Sequence, residues 1–407
     1  MKILHLAPGF TPEVGSMRIH HELAKGLVKA GDEVVVITPY PRAYNLPPNI
    51  PLPKYNRNKP SRERLDGIDV IRVPTLFLGK MRGIFSYVIE QVFVPLSLFF
   101  WSAAAGKCDV IYSTVPPQGT TFAAILLSKF KRIPFVCTVH DLHPKILVEL
   151  GLLKNRLLIK ILEILEKFLY RNASYLGVNS KGNRKYIIEK GVSPDKVSVL
   201  PQWADLDMIH LSTKDNAIRK EIGKKFILSF AGIMSYPQDL ESIIEAAAYF
   251  QDKPDIAFLM VGNGPKESII KKRAKELGLK NVIFWPLQPK EKYFQILAAS
   301  DVLFVPLTKD VPLEQVPSKL LEIMGSAKPV ILNAPRGDAA KILEQGKGGY
   351  QVFPGDIKRL VEIIQELYSD PQKCEQMGMS GRKFIEENYS LEICAPRFRN
   401  AFKKLVK

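Results

Sequence analysis

Apolar residues fall along this chain in short unbroken runs, separated by longer stretches in which they recur every third or fourth position. The first run, Lys2–Pro8, reads as a buried strand. Ile19, Leu23 and Leu27 then mark one face of a helix over 16–30, which Gly31 stops. Glu33–Thr38 is the next strand. Strand, helix and strand in that order open a doubly wound, Rossmann-like domain. The alternation predicts further strands at Asp66–Val73, Asp109–Ser113, Phe135–Val139, Tyr175–Asn179 and Val197–Leu200, with helices over 120–131, 145–171 and 180–190. It pauses over Pro201–Asp215, read as a linker, and restarts with strands at Phe226–Phe230, Ile256–Val261, Val282–Trp285, 301–305, 330–332 and near 350–352. Helices over 239–250, 266–278 and 289–299 lie between them, and a last helix covers 389–406. Two α/β domains are expected, residues 1–205 and 206–388, and a length of 407 residues suits that number.

Three stretches break the pattern. Tyr40–Arg64 is dense in proline, asparagine and cations, with Lys54, Arg57, Lys59, Arg62 and Arg64 among them. It reads as a long surface loop, either simply solvated or a contact for lipid headgroups or a phosphate-bearing acceptor. Gly83–Ala105 is apolar over about the length of a bilayer. A true span would split one sheet across the membrane, and Glu90 and Pro95 interrupt it. Two readings remain: a buried crossover helix, or a helix docked at the membrane interface with Lys80, Arg82 and Lys107 flanking it. The 145–171 stretch sets Leu147, Leu150, Leu157, Ile161, Leu165 and Phe168 against Lys154, Arg156, Lys160, Lys167 and Arg171. That pattern suits either a helix packed on the sheet or one lying on an anionic surface.

Composition adds partners and compartment. With 46% hydrophobic and 24% charged residues the chain is an ordinary globular protein. Cys108, Cys137, Cys374 and Cys394 lack metal-ligand spacing and read as reduced thiols of a cytosolic protein. The N-terminus runs straight into a strand, so no secretory signal is expected. A net charge of +17 favours a polyanionic partner. No zinc-finger spacing or RNP-like run points to nucleic acid, so an anionic membrane surface is the expected partner.

Candidate chemistry concentrates in Asp310–Gly325. The strand Val302–Pro306 leads into a loop, and Pro317-Ser318 opens a short helix. A helix N-terminus offers unpaired N–H groups to a phosphate. Here the candidates are the backbone around Val316 to Lys319, with the Ser318 hydroxyl and the Lys319 ammonium beside it. Glu314 lies on the loop before the helix and Glu322 one turn inside it. The two acids are either solvated residues around a capped helix, or recognition groups for hydroxyls at both ends of a nucleotide-sugar. His140 falls at the carboxyl end of a strand, where ligands bind in open parallel sheets, with Asp141 and His143 as lesser candidates. Gly15 is either a turn glycine or a point of close backbone approach. Gly262-Asn263-Gly264 is a tight turn or a weak phosphate signal. Asp205-Leu206-Asp207 has DxD form but follows a strand into the linker, so it is read as a turn and no metal site is expected.

The Glu314-x7-Glu322 segment, with its Pro317-Ser318-Lys319 core, resembles the signature of the retaining GT-B glycosyltransferases of glycosyltransferase family 4. The stretch from Lys2 to Gly15, the run Thr138-Val-His140-Asp141-Leu-His143-Pro144, Phe230-Ala-Gly232 and Val261-Gly-Asn-Gly-Pro265 follow the same family in order, over essentially the whole chain. The nearest resemblance is to surface-polysaccharide transferases of the N-acetylfucosamine and colanic-acid type. That resemblance implies two Rossmann-like domains facing a cleft, an acceptor domain first and a nucleotide-sugar domain second, with the C-terminal helix 389–407 crossing back to the first.

It also implies roles. His140 lies near the transferred sugar, Leu287 pairs its backbone with the base, and Gly15, Gly232 and Gly262 line the donor. Glu314 orients sugar hydroxyls and Glu322 the ribose, while Lys319, Ser318 and backbone amides stabilise the departing diphosphate without metal or other cofactor. One departure is visible: Ile233–Asp239 lacks the basic residues many relatives carry after Phe-x-Gly, so more falls to Lys319. The implied activity is retaining transfer from a nucleotide-sugar to a glycan or lipid-linked acceptor, on the cytoplasmic face of a membrane. The alternatives are a GT-B nucleotide-sugar epimerase and a non-catalytic membrane-binding scaffold.

Overall fold

A computed structural model describes residues 1–13, 17–41, 58–75, 84–207, 209 and 216–406. The described chain forms two compact units. Unit 1 holds Met1–Pro144, Asn155–Pro201 and Cys394–Lys407, and unit 2 holds Lys145–Lys154 and Gln202–Ile393.

Unit 1 is built on β1 (Lys2–Leu6), β2 (Glu33–Pro39), β3 (Ser61–Leu65), β4 (Ile68–Val73), β5 (Val110–Val115), β6 (Phe135–Val139), β7 (Tyr175–Val178) and β8 (Val197–Val199). Their order in the sheet is β3-β4-β2-β1-β5-β6-β7-β8. The chain begins at β1, moves to one side through β2 and β4, then to the other through β5. The carboxyl ends of β1 and β5 therefore mark the switch point where open α/β sheets take ligands. Helices α1 (Arg18–Lys29), α2 (Ile84–Trp101), α3 (Gln118–Lys131), α5 (Arg156–Asn172) and α6 (Lys181–Glu189) connect the strands; α4 (Lys145–Glu149) goes to unit 2. The inner strands are largely apolar because parallel sheets are covered on both faces: Ile3, Leu4, Val35, Val36 and Ile37 are all fully buried.

Polar contacts set the loops at the ligand end. Arg72, on β4, is buried; it pairs with Glu63 and donates to the Thr11 carbonyl, which holds the loop after β1. From the last helix, α15 (Leu391–Lys403), Phe398 and Phe402 pack around Tyr112 with ring centroids 6.4 and 5.4 Å away. Arg399 pairs with Asp32 at 2.7 Å, and Asp32 also takes the N-terminal ammonium at 3.2 Å.

Unit 2 contains β9 (Phe226–Ala231), β10 (Ile256–Val261), β11 (Val282–Trp285), β12 (Val302–Pro306), β13 (Val330–Asn333) and β14 (Gly349–Val352) in the order β11-β10-β9-β12-β13-β14. All its pairings are parallel. Its switch point lies between β9 and β12. Around the sheet stand α7 (Ala217–Ile222), α8 (Leu240–Ala248), α9 (Glu267–Glu276), α10 (Lys290–Ala299), α11 (Ser318–Gly325), α12 (Asp338–Gln345), α13 (Ile357–Ser369) and α14 (Pro371–Tyr389). Phe230, Phe258 and Phe304 are buried between layers, the last two stacked at 6.4 Å. Arg382 of α14 donates to the Gly325 carbonyl at the end of α11, a cation placed where the helix dipole is negative.

Three expectations change. Ser61–Leu65 is a strand, not part of a loop running to Arg64: Asp66 and Gly67 both take positive φ, 48° and 80°, and turn β3 back antiparallel on β4. Its polar sequence is that of an exposed edge strand, and this hid it. The predicted helix over 145–171 is two helices. Gly151 at φ 67° ends the first, and Asn155 caps the second by accepting from the Leu158 amide at 3.0 Å. Leucines continue through the break, so periodicity alone concealed it. The 83–105 run forms α2 and a short 3-10 turn, Ser102–Ala105. Val94 and Leu98 are buried in the unit 1 core while Phe93, Leu96 and Phe100 stay exposed. Lys54, Arg57, Lys80 and Arg82 lie outside the described residues.

His5 of β1 and His20 of α1 form a buried pair, Nε2 to Nδ1 at 3.1 Å, in which one ring must donate and the other accept. Burial pulls His5 down to about 3, and burial together with the neighbouring His5 lowers His20 as well. Both are neutral in the fold and take protons on unfolding below about pH 6.5. Stability is thus full above that pH and falls as acid is added. Between pH 7 and pH 5 the unfolding free energy is expected to drop by about 2 kcal/mol from His5 alone, with His20 acting in the same direction. Denaturant titrations across that range check this; a flat profile would exclude it.

Candidate active site

Unit 2 assembles its site where the strands end. Beyond β9 and β10 the ladder continues into the loops: the Gly232 amide donates to the Val261 carbonyl at 2.8 Å and the Gly262 amide to the Trp285 carbonyl at 3.0 Å. The Met234 amide reaches the Asn263 carbonyl at 2.7 Å. Gly232 and Gly262 sit at φ 148° and 152°, a region that disfavours side chains. Space forbids side chains too. A Cβ at Gly262 would strike the Gly232 carbonyl, and a Cβ at Gly232 would overlap Lys319 Nζ. The two glycines therefore let one loop lie on the other and let a lysine come down beside bare backbone.

That lysine is the second residue of α11. Its Nζ stands 4.7 Å from the centroid of the Phe230 ring. Burial pulls the ammonium down to about 8, and Glu322, one helical turn on, opposes the shift. Glu322 Oε2 in turn accepts from the Tyr293 hydroxyl at 3.0 Å. Pro317 occupies the N-cap of α11 and supplies no side-chain acceptor to the first-turn amides; Ser318 is exposed and Val316 half-buried.

The loop into α11 is pinned at several points. Thr308 N–H donates to the Pro237 carbonyl at 2.9 Å, Gln315 N–H to the Pro312 carbonyl at 3.0 Å, and Asp338 N–H to the Leu313 carbonyl at 2.8 Å. Glu314, next to Leu313, pairs through Oε1 with Lys145 of α4 at 2.7 Å. Leu287 stands exposed after β11, the strand beside β10. Unit 2 thus gathers Gly232, Gly262 and Lys319 into one cluster with Glu322 beside it. It sets Glu314 on the loop before the same helix and Leu287 past the end of a neighbouring strand.

In unit 1, His140 follows β6. Its amide donates to the Val115 carbonyl at 2.8 Å, and its carbonyl accepts from Asn179 Nδ2 at 3.0 Å. These bonds fix its main chain between the loops after β5 and β7. Burial lowers the ring's pKa, with Asp141 opposing, and His143 is lowered by burial in the same way. Gly15 lies outside the described residues. Asp205 pairs with Lys290 at 3.6 Å, and the Leu206 amide turns back to the Ala204 carbonyl at 3.0 Å.

Several residues of this region escape a reading of the sequence. Tyr293 lies mid-helix in α10, where nothing distinguishes it from a core aromatic. Lys145 and Glu314 are far apart in the chain and share no motif. Lys266 follows the Gly262–Gly264 turn and would pass for a phosphate ligand. Instead its ammonium is committed to the Gln238 carbonyl at 2.8 Å and to Glu241 at 2.6 Å, which holds the 233–238 loop against α9.

Comparison with known proteins gives two family matches. The family described as Glycosyl transferase 4-like domain matches residues 15–203, and Glycosyl transferases group 1 matches residues 212–384. Among known sequences the chain is similar to WcaI of Escherichia coli K12, described as a putative colanic acid biosynthesis glycosyl transferase, with 27% identity over 98% of this chain and 99% of that protein. It is also similar to the uncharacterised glycosyltransferase MJ1069 of Methanocaldococcus jannaschii, with 23% identity over 99% and 98%. Among solved structures, Alr3699/HepE of Anabaena in complex with UDP superposes with a TM-score of 0.74 at 18% identity, covering 100% of both chains.

The packing at Gly232 makes a direct prediction. Gly232→Ala should destabilise the chain by about 1–3 kcal/mol, from a strained φ and a displaced Lys319. In a Lys319→Met background, where no ammonium has to move, the loss should be smaller by at least about 0.5 kcal/mol. A double-mutant cycle on unfolding free energies reads the difference; strict additivity would show that the two residues do not press on each other.

Proposed function

The chain belongs to the GT-B glycosyltransferases of family 4, and from that premise we propose that it moves a sugar, with retention of configuration, from a nucleotide-sugar held by unit 2 to a lipid-linked glycan acceptor in cell-surface polysaccharide assembly. The observation that carries this reading is the buried Lys319 ammonium set against side-chain-free backbone at Gly232, at the switch point of the unit 2 sheet. The matched families and named relatives are transferases, so epimerase and scaffold readings are set aside.

The chemistry asks for stabilised charge rather than a strong nucleophile. As the sugar–phosphate C–O bond breaks, positive charge grows on the sugar ring and negative charge on the diphosphate. Lys319, protonated below about pH 8, neutralises that diphosphate together with Ser318 and the amides at the start of α11. A diphosphate oxygen takes the proton of the acceptor hydroxyl, whose oxygen forms the new C–O bond on the same face. Glu314 holds the hydroxyls of the transferred sugar. Glu322, set by Tyr293, takes the ribose, and Leu287 offers backbone to the base. His140 presents a neutral ring and fixed main chain to the sugar. No divalent metal is required, because the lysine and the helix terminus supply the positive charge. A UDP-sugar is the first donor class to try, since the similar HepE was solved with UDP.

A panel of UDP- and GDP-sugars, assayed for nucleotide release with and without an extracted lipid-linked acceptor, tests the reading. Acceptor-dependent release is expected, undiminished in EDTA, and Glu314→Gln should reduce it by about 100-fold or more with unfolding unchanged. Release by no donor, or full activity in Glu314→Gln, would reject it.

Membrane association, on the cytoplasmic face, is the second part of the proposal. No helix among the described residues is long and apolar enough to cross a bilayer. The support lies in a continuous outer face of α2, α3 and α5. Phe99 meets Phe130 at 6.4 Å and Phe122 stacks on Phe168 at 5.9 Å, which joins the three helices. Phe100, Leu126, Phe130, Leu157, Ile161 and Ile164 stand exposed along it, Phe130 at 78% and Leu157 at 70%. The acids of α5 point elsewhere: Glu163 and Glu166 both engage Lys190, each at 3.4 Å. What remains outward is apolar surface with Arg156, Lys160, Lys167 and Arg171, and Lys129 over the Phe168 ring at 5.9 Å. An apolar face rimmed by cations and cleared of acids suits an anionic lipid surface.

Co-sedimentation should show the chain bound to vesicles rich in phosphatidylglycerol and about tenfold less bound to phosphatidylcholine alone. Ile161→Glu combined with Phe168→Ser should abolish binding without altering the unfolding midpoint. Equal binding of this double variant would rule out the face.

A further inference from the structure

The chain between Pro144 and Asn155 leaves unit 1, joins unit 2 and returns. Its short helix α4 does not fill a gap in the sheet; Leu150, just beyond it, packs in the cluster formed by Leu320, Leu321 and Met324 of α11 with Val316 alongside. The segment is thus seated on the helix that carries Ser318 and Lys319, whose preceding loop carries Glu314. Its first residue, Lys145, places Nζ 2.7 Å from Glu314 Oε1 and 3.8 Å from Glu149 Oε1, one turn further along α4. Lys145 and Glu314 are largely withdrawn from water, with exposures of 20% and 21%, while Glu149 is exposed at 38%.

We infer that Lys145 is a positioning residue for glycosyl transfer: it holds the Glu314 carboxylate by one oxygen, in one orientation, and separates it from the second carboxylate of Glu149. The inference rests on the proposed role of Glu314 in holding sugar hydroxyls. Glu314 sits on a loop, where a carboxylate has several rotamers to sample, and a charged hydrogen bond to one oxygen restricts them. The electrostatics point the same way. Glu149 is raised by burial, lowered by Lys145 and raised again by Glu314, so the two acids repel and the lysine between them offsets it. Without Lys145 the half-buried Glu314 and the exposed Glu149 lose the cation between them, and Glu149 becomes easier to protonate. Lys145 has no call on the nucleotide end of the donor, where Lys319 and the start of α11 act.

The test compares Lys145→Met, Lys145→Arg, Glu314→Gln and the double variant Lys145→Met/Glu314→Gln. Turnover is measured on the most active sugar of the UDP- and GDP-sugar panel, and affinity on UDP and GDP alone by calorimetry. Lys145→Met should lower kcat by about 10- to 100-fold, a loss typical of a mispositioned group, while nucleotide affinity stays within about twofold. Lys145→Arg should recover most of the activity, and the double variant should be no worse than Glu314→Gln. Wild-type kcat in Lys145→Met beside an impaired Glu314→Gln would overturn the inference and leave the proposed function intact. Full activity in Glu314→Gln would instead remove the proposed function and this inference together. Should Lys145→Met fail to fold, Lys145→Gln is read in its place. If both unfold, the residue serves the packing of α4 and the positioning role is overturned.

Discussion

Unit 2 depends on backbone lying directly against backbone. The turns after β9 and β10 touch through Gly232 and Gly262, with no side chain between them, and the Gly232 amide is bound to the Val261 carbonyl across that contact. This close approach brings the loops to the level of the α11 N-terminus, so that Lys319 can lie over Phe230 with its ammonium against bare main chain. A methyl group at either glycine would push the layers apart and take the lysine with them.

The electrostatics of the region follow from that packing. A lysine in water is charged at every physiological pH and tightly hydrated; this one has lost much of its water to an aromatic ring and a glycine turn. One helical turn away, Glu322 accepts from the Tyr293 hydroxyl. The cation that would have been nearest in sequence, Lys266, is tied to Gln238 and Glu241 and shapes the loop. With no basic residue over 233–239, Lys319 is the cation that stands against the Gly232 turn.

Much of the fold was legible because parallel strands covered on both faces must be apolar throughout, and runs such as Val34–Ile37 and Ile256–Val261 announce themselves. What stayed hidden had ambiguous periodicity. Ser61–Leu65 is polar because it is an edge, and the break between α4 and α5 falls inside a leucine pattern that runs straight across it. The family resemblance rested on residues close together in sequence, such as Glu314, Lys319 and Glu322, and the matched families reached the same assignment. Partnerships made only by folding were invisible: Lys145 with Glu314, Tyr293 with Glu322, Arg72 with the Thr11 carbonyl. A Gly-x-Gly could be recognised as a turn, but that one glycine roofs another is a property of three dimensions.

The antiparallel β3 has a consequence of a different kind. An extended strand left open at the margin of a parallel sheet invites a strand from a neighbouring molecule to dock along it. Here the outermost strand is Ser61–Leu65, short and charged, with Arg62 turned to Asp69 and Glu63 to Arg72. The opposite margin, Val197–Val199, spans three residues. Neither offers a long apolar template, so at high local concentration, as when many copies crowd on one surface, this sheet is built to resist templated polymerisation.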